Sequence, residues 1–282
     1  MIVTGGRGRL GRLVVNALRA EGVRTASLAR SRGEHGDDVE VDLRDSDAVA
    51  DIVAEIPHDA VIHLASVLRG DDLVAENLSI DRAVARASGR AGTPHVVNIS
   101  SAAVYGTAEE APRNEADPLA GTSEYALSKI RGEEIFHALA EDGTTSVTTL
   151  RVFNLAGPAF PDSLIMRLLT STHARPVPLT APDRFVRDYL HQSDAVALIR
   201  DATMTPSPGH RTLNIAGGTA VSSRMLLDSL GIAADRVVEL PGPPSWSWAD
   251  IAQMEEALGT RPRRLPGAHW AESFPSAANA DV

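Results

Sequence analysis

The chain of 282 residues contains no cysteine. Disulfides, thiolate zinc sites and thiol nucleophiles are therefore excluded. Lysine is almost absent: of 27 basic residues only Lys129 is a lysine, and the rest are arginines. Aromatic residues make up 4% of the chain, with tyrosine only at Tyr105, Tyr125 and Tyr189. An excess of positive charge is also missing, the formal net charge being −10. Nucleic acid and anionic membrane surfaces require a basic face, so neither is expected as a partner. A small anionic ligand remains compatible, because it responds only to local charge. No apolar run reaches the ~18 residues that would span a bilayer. The opening MIVTGG lacks the basic segment and apolar core of a secretory signal. The expectation is a cytoplasmic protein.

What is present is an alternation of strand-like and helix-like segments. Ile2–Thr4 is a strand stub followed by a glycine-rich turn. Leu10, Leu13, Val14, Ala17 and Leu18 recur at helical spacing, and Gly22 closes that helix. Val23–Leu28, Val39–Val41, Ala60–Ala65, Val96–Ile99 and Ser146–Val152 read as further strands. Asp45 or Ser46 can cap a helix with the stripe Val49, Ile52, Val53 and Ile56. Strands apolar on both faces and separated by helices predict an α/β fold with a doubly wound parallel sheet. After Gly157 the prolines cluster and the alternation weakens, as in a smaller lobe. Within that stretch Tyr189–Leu198 and Thr212–Ile215 are regular enough to return to the sheet. The residues 276–282 are small and polar and are expected to fray.

The first turn reads Gly5-Gly6-Arg7-Gly8-Arg9-Leu10-Gly11. Glycines at Gly5, Gly8 and Gly11 permit a tight turn and let a pyrophosphate approach the helix N-terminus, whose free N–H groups and dipole favour negative charge. Between a first strand and an amphipathic helix, this pattern points to a Rossmann-type dinucleotide site. An acidic residue at the end of the second strand would select NAD through its ribose hydroxyls. This chain has Ala29 and Arg30 there, with Arg32 beyond and Arg7 in the turn. Guanidinium groups bind phosphate in a bidentate fashion, so the reading places NADP ahead of NAD. Asp42-Leu43, after the third strand, is placed to hold the adenine. The expected organisation is a dinucleotide-binding domain over 1–156 with a returning segment near 187–216. The segments 157–186 and 217–282 form a smaller C-terminal substrate-binding lobe.

Tyr125-Ala126-Leu127-Ser128-Lys129 falls in a helix-like segment capped by Thr122 or Ser123. Residues four apart share a helical face, so the one lysine stands beside one of three tyrosines. An ammonium at that distance makes the phenol a better proton donor near neutral pH. A compact ammonium does what a planar guanidinium does not, which explains a lysine in a chain that otherwise uses arginine. Ser101, at the end of the fifth strand, can donate a second hydrogen bond to the same oxygen. Strand C-termini are where doubly wound folds hold their ligands. The candidate catalytic residues are Ser101, Tyr125 and Lys129.

With these residues the chain resembles the extended short-chain dehydrogenases/reductases, the epimerase/dehydratase and sugar-nucleotide ketoreductase type. The likeness extends over nearly the whole chain. Asp59–Ser66 matches the family's fourth strand, which implies that Leu64, Ala65 and Ser66 border the cofactor. Asn77 matches a helix asparagine linked to the active-site hydrogen bonds and to cofactor binding. Arg151–Asn154 with Gly157-Pro158, Arg187–His191 and Asn214–Gly218 match later signatures. The resemblance implies substrate contacts from Ser101, Ala102, Asn154 and Arg187, with phosphates the usual target of the last two.

The chain also departs from the family. Ala102 and Ala103 stand where the dehydratases carry an acid, which argues against elimination. Pro241–Trp248 stands where a late arginine clamps the nucleotide diphosphate. Ile80-Asp81 replaces the Gly-Thr after the helix asparagine. The leading expectation is NADPH-dependent reduction of a keto group on a nucleotide-linked deoxysugar. The alternatives are an NAD-dependent sugar-nucleotide epimerase and a non-catalytic NADP-binding regulatory protein.

Other features are read as structural. The nine histidines show no helical metal spacing, so no metal is expected. His63 is read as a satisfied core residue or a neighbour of the cofactor. Trp246 and Trp248 line a pocket or pack the lobe, and Arg261, Arg263 and Arg264 form a solvated cluster. A homodimer is also expected. It would pair helices bearing Ile130, Ile135, Phe136 and Leu139 and Leu73, Leu78, Ile80 and Val84, the alternative being that these side chains pack within one subunit.

Overall fold

A chain that alternates apolar strands with helices must cover both faces of the sheet it builds. The computed structural model describes residues 1–262 except Arg32 and Glu34. The readings placed on Arg32, Arg263, Arg264 and 276–282 lie outside the described residues. The elements run β1 (Ile2–Thr4), α1 (Arg9–Ala20), β2 (Ala26–Ala29), β3 (Asp38–Glu40), α2 (Ser46–Glu55), β4 (Ala60–His63), α3 (Leu73–Ala91), β5 (His95–Ser101), α4 (Glu124–Ala140) and β6 (Ser146–Val152). They continue with β7 (Asn154–Ala156), α5 (Leu164–Leu169), β8 (Val177–Thr180), β9 (Phe185–Arg187), β10 (Tyr189–His191), α6 (Gln192–Met204) and β11 (His210–Ile215). The last are β12 (Val221–Ser222), α7 (Ser223–Leu230), β13 (Val237–Leu240), β14 (Ser245–Ser247) and α8 (Ala252–Leu258). Two compact units emerge. One comprises Met1–Val104, Pro118–Arg151 and Val196–Leu213; the other comprises Tyr105–Asp117, Val152–Ala195 and the chain from Asn214 onward.

The first unit is a Rossmann-type α/β fold around a seven-stranded sheet of order β11-β6-β5-β4-β1-β2-β3. The registers from β3 through β5 are parallel. The chain moves outward from β1 to β3, then returns to β4 on the other side of β1. That reversal is the switch point at which such sheets bind ligands. α1 begins after Gly8 with no side-chain cap, whereas Asp45 caps α2 by accepting from the Ala48 N–H and Ser123 caps α4 by accepting from the Ala126 N–H. Val49, Val53, Val84 and Phe136 are among the buried residues of one core that also takes in β1, β2 and β4.

The helices assigned to a dimer face also have neighbours within the chain. α3 packs against both α2 and α4 of its own chain. Leu73, Leu78, Ile80, Val84 and Phe136 are all buried, Ile135 and Leu139 pack against the core of the first unit, and Ile130 is half-buried.

His63 is a satisfied core residue. Its Nδ1 lies 2.7 Å from Thr4 Oγ1 and its Nε2 lies 2.9 Å from Asp81 Oδ1. The reading of Tyr189–Leu198 as a returning strand is also corrected. Tyr189–His191 pairs instead with Asn154–Ala156 in a separate two-stranded sheet, and Gln192 begins a helix. Thr212–Ile215 does belong to the main sheet, as part of its edge strand β11.

The second unit has its own core, in which Ile165, Leu168, Leu179, Tyr189 and Leu226 are buried. Asp188 is its polar hub. Its Oδ1 accepts the Gly217 N–H at 2.7 Å, and its Oδ2 accepts those of Gly218 at 2.9 Å and Ala249 at 3.3 Å. The Asp188 N–H donates to Ser247 O. Trp246 is buried in β14, and its backbone N–H donates to Thr107 O, which favours the packing role over a pocket. Arg261 pairs with Glu255.

Burial pushes the Asp188 carboxyl up to about 7, against the opposing pull of those N–H donors. The folded chain therefore holds this proton more tightly than the unfolded chain, whose Asp titrates near 4. The protonated carboxyl contributes stability below about pH 4, and that contribution is lost as pH rises through about 7. Asp188→Asn keeps only one acceptor oxygen. It should destabilise the fold by about 1–3 kcal/mol and flatten this part of the pH dependence. Urea unfolding at about pH 5 and about pH 8 checks both, and an unchanged pH difference in the variant would contradict the assignment.

Candidate active site

Strands β1, β2 and β4 end on a cavity of about 320 Å³ in the first unit. The glycine turn contributes Gly5, Arg7 and Gly8, and the end of β2 contributes Ala29 and Arg30. Asp42 and Leu43 come from the turn after β3, and Leu64, Ala65 and Ser66 from the loop after β4. The turn is sterically closed to side chains. Gly5 has φ +69°, and a Cβ there would lie 2.7 Å from the Ala65 backbone. A Cβ on Gly11 would meet Gly5 O at 2.2 Å. Backbone is thus packed on backbone, and α1 starts after Gly8 with no side-chain cap, where the helix dipole favours a phosphate. The residues present fit a dinucleotide.

Arg44 is a lining residue that the sequence reading missed. It grips Asp42 through both carboxylate oxygens, with Nη2 2.6 Å from Oδ2, and reaches Glu76 at 3.3 Å. The guanidinium holds the Asp42 carboxyl down to about 2. Asp42 is therefore a carboxylate already committed to a cation, while Arg7 and Arg30 are exposed. The spacing Asp-x-Arg is the only signal that pointed to this pair.

The candidate catalytic residues come from two neighbouring elements. Ser101 ends β5 half-exposed, and its Oγ accepts the Ala103 N–H at 3.2 Å. Tyr125 lies in the first turn of α4, half-buried. Lys129, one turn on, is buried, and its Nζ donates to Ile99 O on β5 at 2.9 Å. The lysine thus ties the tyrosine helix to the serine strand.

Asn77 on α3 closes this arrangement. Its Nδ2 donates to Val67 O at 3.0 Å and to Ser128 Oγ at 3.1 Å, while its Oδ1 accepts the Val67 N–H at 2.7 Å. Ser128 Oγ in turn donates to Tyr125 O. One amide joins the cavity wall at 66–67 to the helix of Tyr125. Ser100, Glu133 and Arg151 form a further buried set that sequence reading missed. Ser100 Oγ donates to Glu133, whose carboxylate receives the Arg151 guanidinium, with Nη2 2.7 Å from Oε2. Glu133 is four residues beyond Lys129, a spacing that was visible. Its strand partners were not.

Residues assigned to substrate in the second unit are engaged internally. Asn154 Nδ2 donates to Asp188 O at 2.9 Å. Arg187 donates to Val186 O at 2.8 Å, Ser245 O at 3.0 Å and Ser245 Oγ at 2.9 Å, and its guanidinium lies over the Phe185 ring. Burial lowers its affinity for a proton. Ala102 is buried at the start of the 3₁₀ turn after β5.

Residues 1–216 match the NAD dependent epimerase/dehydratase family. The chain belongs to that family. It is an enzyme of the extended short-chain dehydrogenase/reductase type, so the non-catalytic reading is set aside. The dTDP-glucose 4,6-dehydratase of Streptomyces niveus is 28% identical over 238 residues, covering 79% of this chain and 70% of that one. The UDP-glucose 4-epimerase of Azospirillum brasilense is 28% identical over 313 residues, covering 95% and 89%. Among solved structures, MoeE5 in complex with UDP-glucose and NAD has a TM-score of 0.83 and 25% identity, covering 98% of this chain and 97% of that one. The MoeE5 structure holds NAD, so the placing of NADP first is not supported by it. No described helix is long and apolar enough to cross a membrane.

Asn77→Ala removes the amide that holds the cavity wall to α4. It should weaken dinucleotide binding by about tenfold and lower stability by about 1–3 kcal/mol. Fluorescence titration with NAD and NADP alongside thermal unfolding measures both, and parent-like affinity for both dinucleotides would remove Asn77 from the site.

Proposed function

We propose that the chain interconverts a hydroxyl and a carbonyl on a nucleotide-linked sugar and acts as an epimerase. The observation that carries this reading is the set Ser101, Tyr125 and Lys129 at one end of β5 and α4, with Ala102 and Ala103 in the place of an elimination acid. Within a family of epimerases and dehydratases, alanine at both positions favours chemistry without loss of water. A bound nicotinamide would take up and return a hydride at the sugar carbon. The glycine turn and the start of α1 would hold its pyrophosphate. Leu64, Ala65 and Ser66 would border the dinucleotide, and Asp42-Leu43 would take its adenine end.

Tyr125 is the proton donor and acceptor for the sugar oxygen, and the Ser101 hydroxyl donates a second hydrogen bond to it. Lys129 commits one of its three donors to Ile99 O. Two remain for the ribose and for the charge that develops on the phenol. Relatives that hold NAD favour that cofactor for a reaction without net redox change.

A second reading, NADPH-dependent ketoreduction of a keto sugar, is favoured by one feature. Arg30 follows β2 where an acid would bind ribose, and Arg7 lines the same cavity. Asn154 and Arg187 remain the candidates for substrate phosphates under either reading.

The deciding experiment incubates the purified chain with UDP-glucose or dTDP-glucose and NAD and follows the sugar by NMR. Appearance of the 4-epimer without accumulation of reduced nicotinamide is expected. Stoichiometric oxidation of NADPH by a keto-sugar nucleotide, with no epimer formed, would establish the second reading instead. Tyr125→Phe should lower turnover by roughly 10²–10⁴ while dinucleotide affinity stays near that of the parent. A Phe variant that turns over normally would overturn the role of Tyr125 in both readings.

A further inference from the structure

The fold joins two histidines that lie 73 residues apart in sequence. His137 is exposed on the second half of α4, and His210 begins the edge strand β11. Their Nδ1 atoms are 3.2 Å apart, and the ring planes meet at 65°. Nε2 of His210 lies 3.1 Å from Thr149 Oγ1 on β6, which orients that ring from its far side. The pair borders a cavity of about 430 Å³ in the first unit, away from the glycine turn. Glu134 and Glu141 line the same cavity, and each stands one helical turn from His137.

Two facing imidazole nitrogens at this distance share either a proton or a metal ion. Nitrogens bound at 2.0–2.1 Å to one tetrahedral zinc-class ion stand roughly 3.3 Å apart. Exchange of the shared proton for such an ion therefore keeps the nitrogen separation, each ring turning to aim its lone pair at the ion. Imidazole is a ligand suited to zinc, nickel and copper, and the neutral ring is the form that binds. The contact with Thr149 has the form of the outer hydrogen bond that fixes metal-bound histidines. Glu134 and Glu141 add negative potential and oxygen donors on the exposed side. Among the described residues no three such side chains already converge on one point. The chain thus presents two fixed ligands, and the remaining positions fall to water or to one of these glutamates.

We propose that His137 and His210 form a binding site for a divalent transition ion of the zinc class, clamping the second half of α4 to edge strand β11. The site uses none of the residues assigned to the dinucleotide or the sugar. It stands or falls independently of the proposed reaction.

The test uses the full, tag-free chain, stripped with a chelator and titrated with Zn²⁺ in competition with a chromophoric chelator. One equivalent should bind per chain. His137→Ala and His210→Gln should each weaken binding by at least about tenfold. His173→Ala, at an exposed histidine elsewhere on the chain, should bind as the parent does. Because His137 is exposed, its replacement leaves the fold intact. Saturating Zn²⁺ should raise the melting temperature of the parent, since a ligand taken only by the folded state stabilises it, but not that of His137→Ala. A parent that binds no equivalent overturns the proposal. So do histidine variants that bind as tightly as the parent.

Discussion

Helix α4 buries polar side chains against the sheet, and the candidate site depends on how they are satisfied. Ser128, Lys129 and Glu133 are each less than a tenth exposed. A buried charge without a partner costs several kcal/mol, so each one fixes a neighbour. Lys129 takes Ile99 O, Ser128 takes Asn77, and Glu133 takes Ser100 and Arg151. Those partners lie on β5, α3 and β6. The helix therefore has one register against the sheet, and that register places Tyr125 near the carboxyl end of β5. A purely apolar face would pack as firmly and would tolerate sliding by a turn. The polar face does not, because a shift would strand a carboxylate and an ammonium together.

The same contacts show what the sequence reveals and what it conceals. The glycine turn, Ser101 and the Tyr125/Lys129 pair are legible because each is local or one helical turn apart. The strand Ser146–Val152 is legible because β-branched residues dominate it. The Ser100–Glu133–Arg151 set is not, since its members sit on three elements and meet only through topology. Tyr189–Leu198 misleads because two short regular segments abut in it, each too short for its periodicity to tell strand from helix. The chain changes from one to the other at Gln192. Periodicity also says that a face of α3 is covered, but not by what. A helix between two others needs two apolar stripes within a single chain.

Charge at the cavity mouth bears on the cofactor in a similar way. In sequence, Arg30 and Arg7 suggest a site rich in positive charge. In the fold, Asp42 and Glu76 stand nearby, with Arg44 between them. The local field is thus mixed, and a count of arginines overstates it. What the fold retains is the position of Arg30 directly after β2, beside the cavity rather than in bulk solvent alone.

The departure at Ile80-Asp81 follows from the same rule of paired burial. Asp81 is 4% exposed and lies on α3 beneath the sheet. Its Oδ1 meets His63 Nε2, and His63 Nδ1 meets Thr4 Oγ1, so the carboxylate is linked through the imidazole to β1 and β4. Space is made for it on α4, where a Cβ on Gly132 would lie 2.5 Å from Asp81 Oδ2. An acid at 81 therefore requires a hydrogen-bonding ring at 63 and no side chain at 132. These positions belong to three elements far apart in sequence, yet each is intelligible only with the others. Phe136, one turn beyond Gly132, covers the imidazole with ring centroids 5.2 Å apart, which keeps water from competing for the His63–Asp81 bond. The helix that carries Tyr125 and Lys129 is thus anchored twice: by charges near its first turns, and by an apolar lid over a buried hydrogen bond further along.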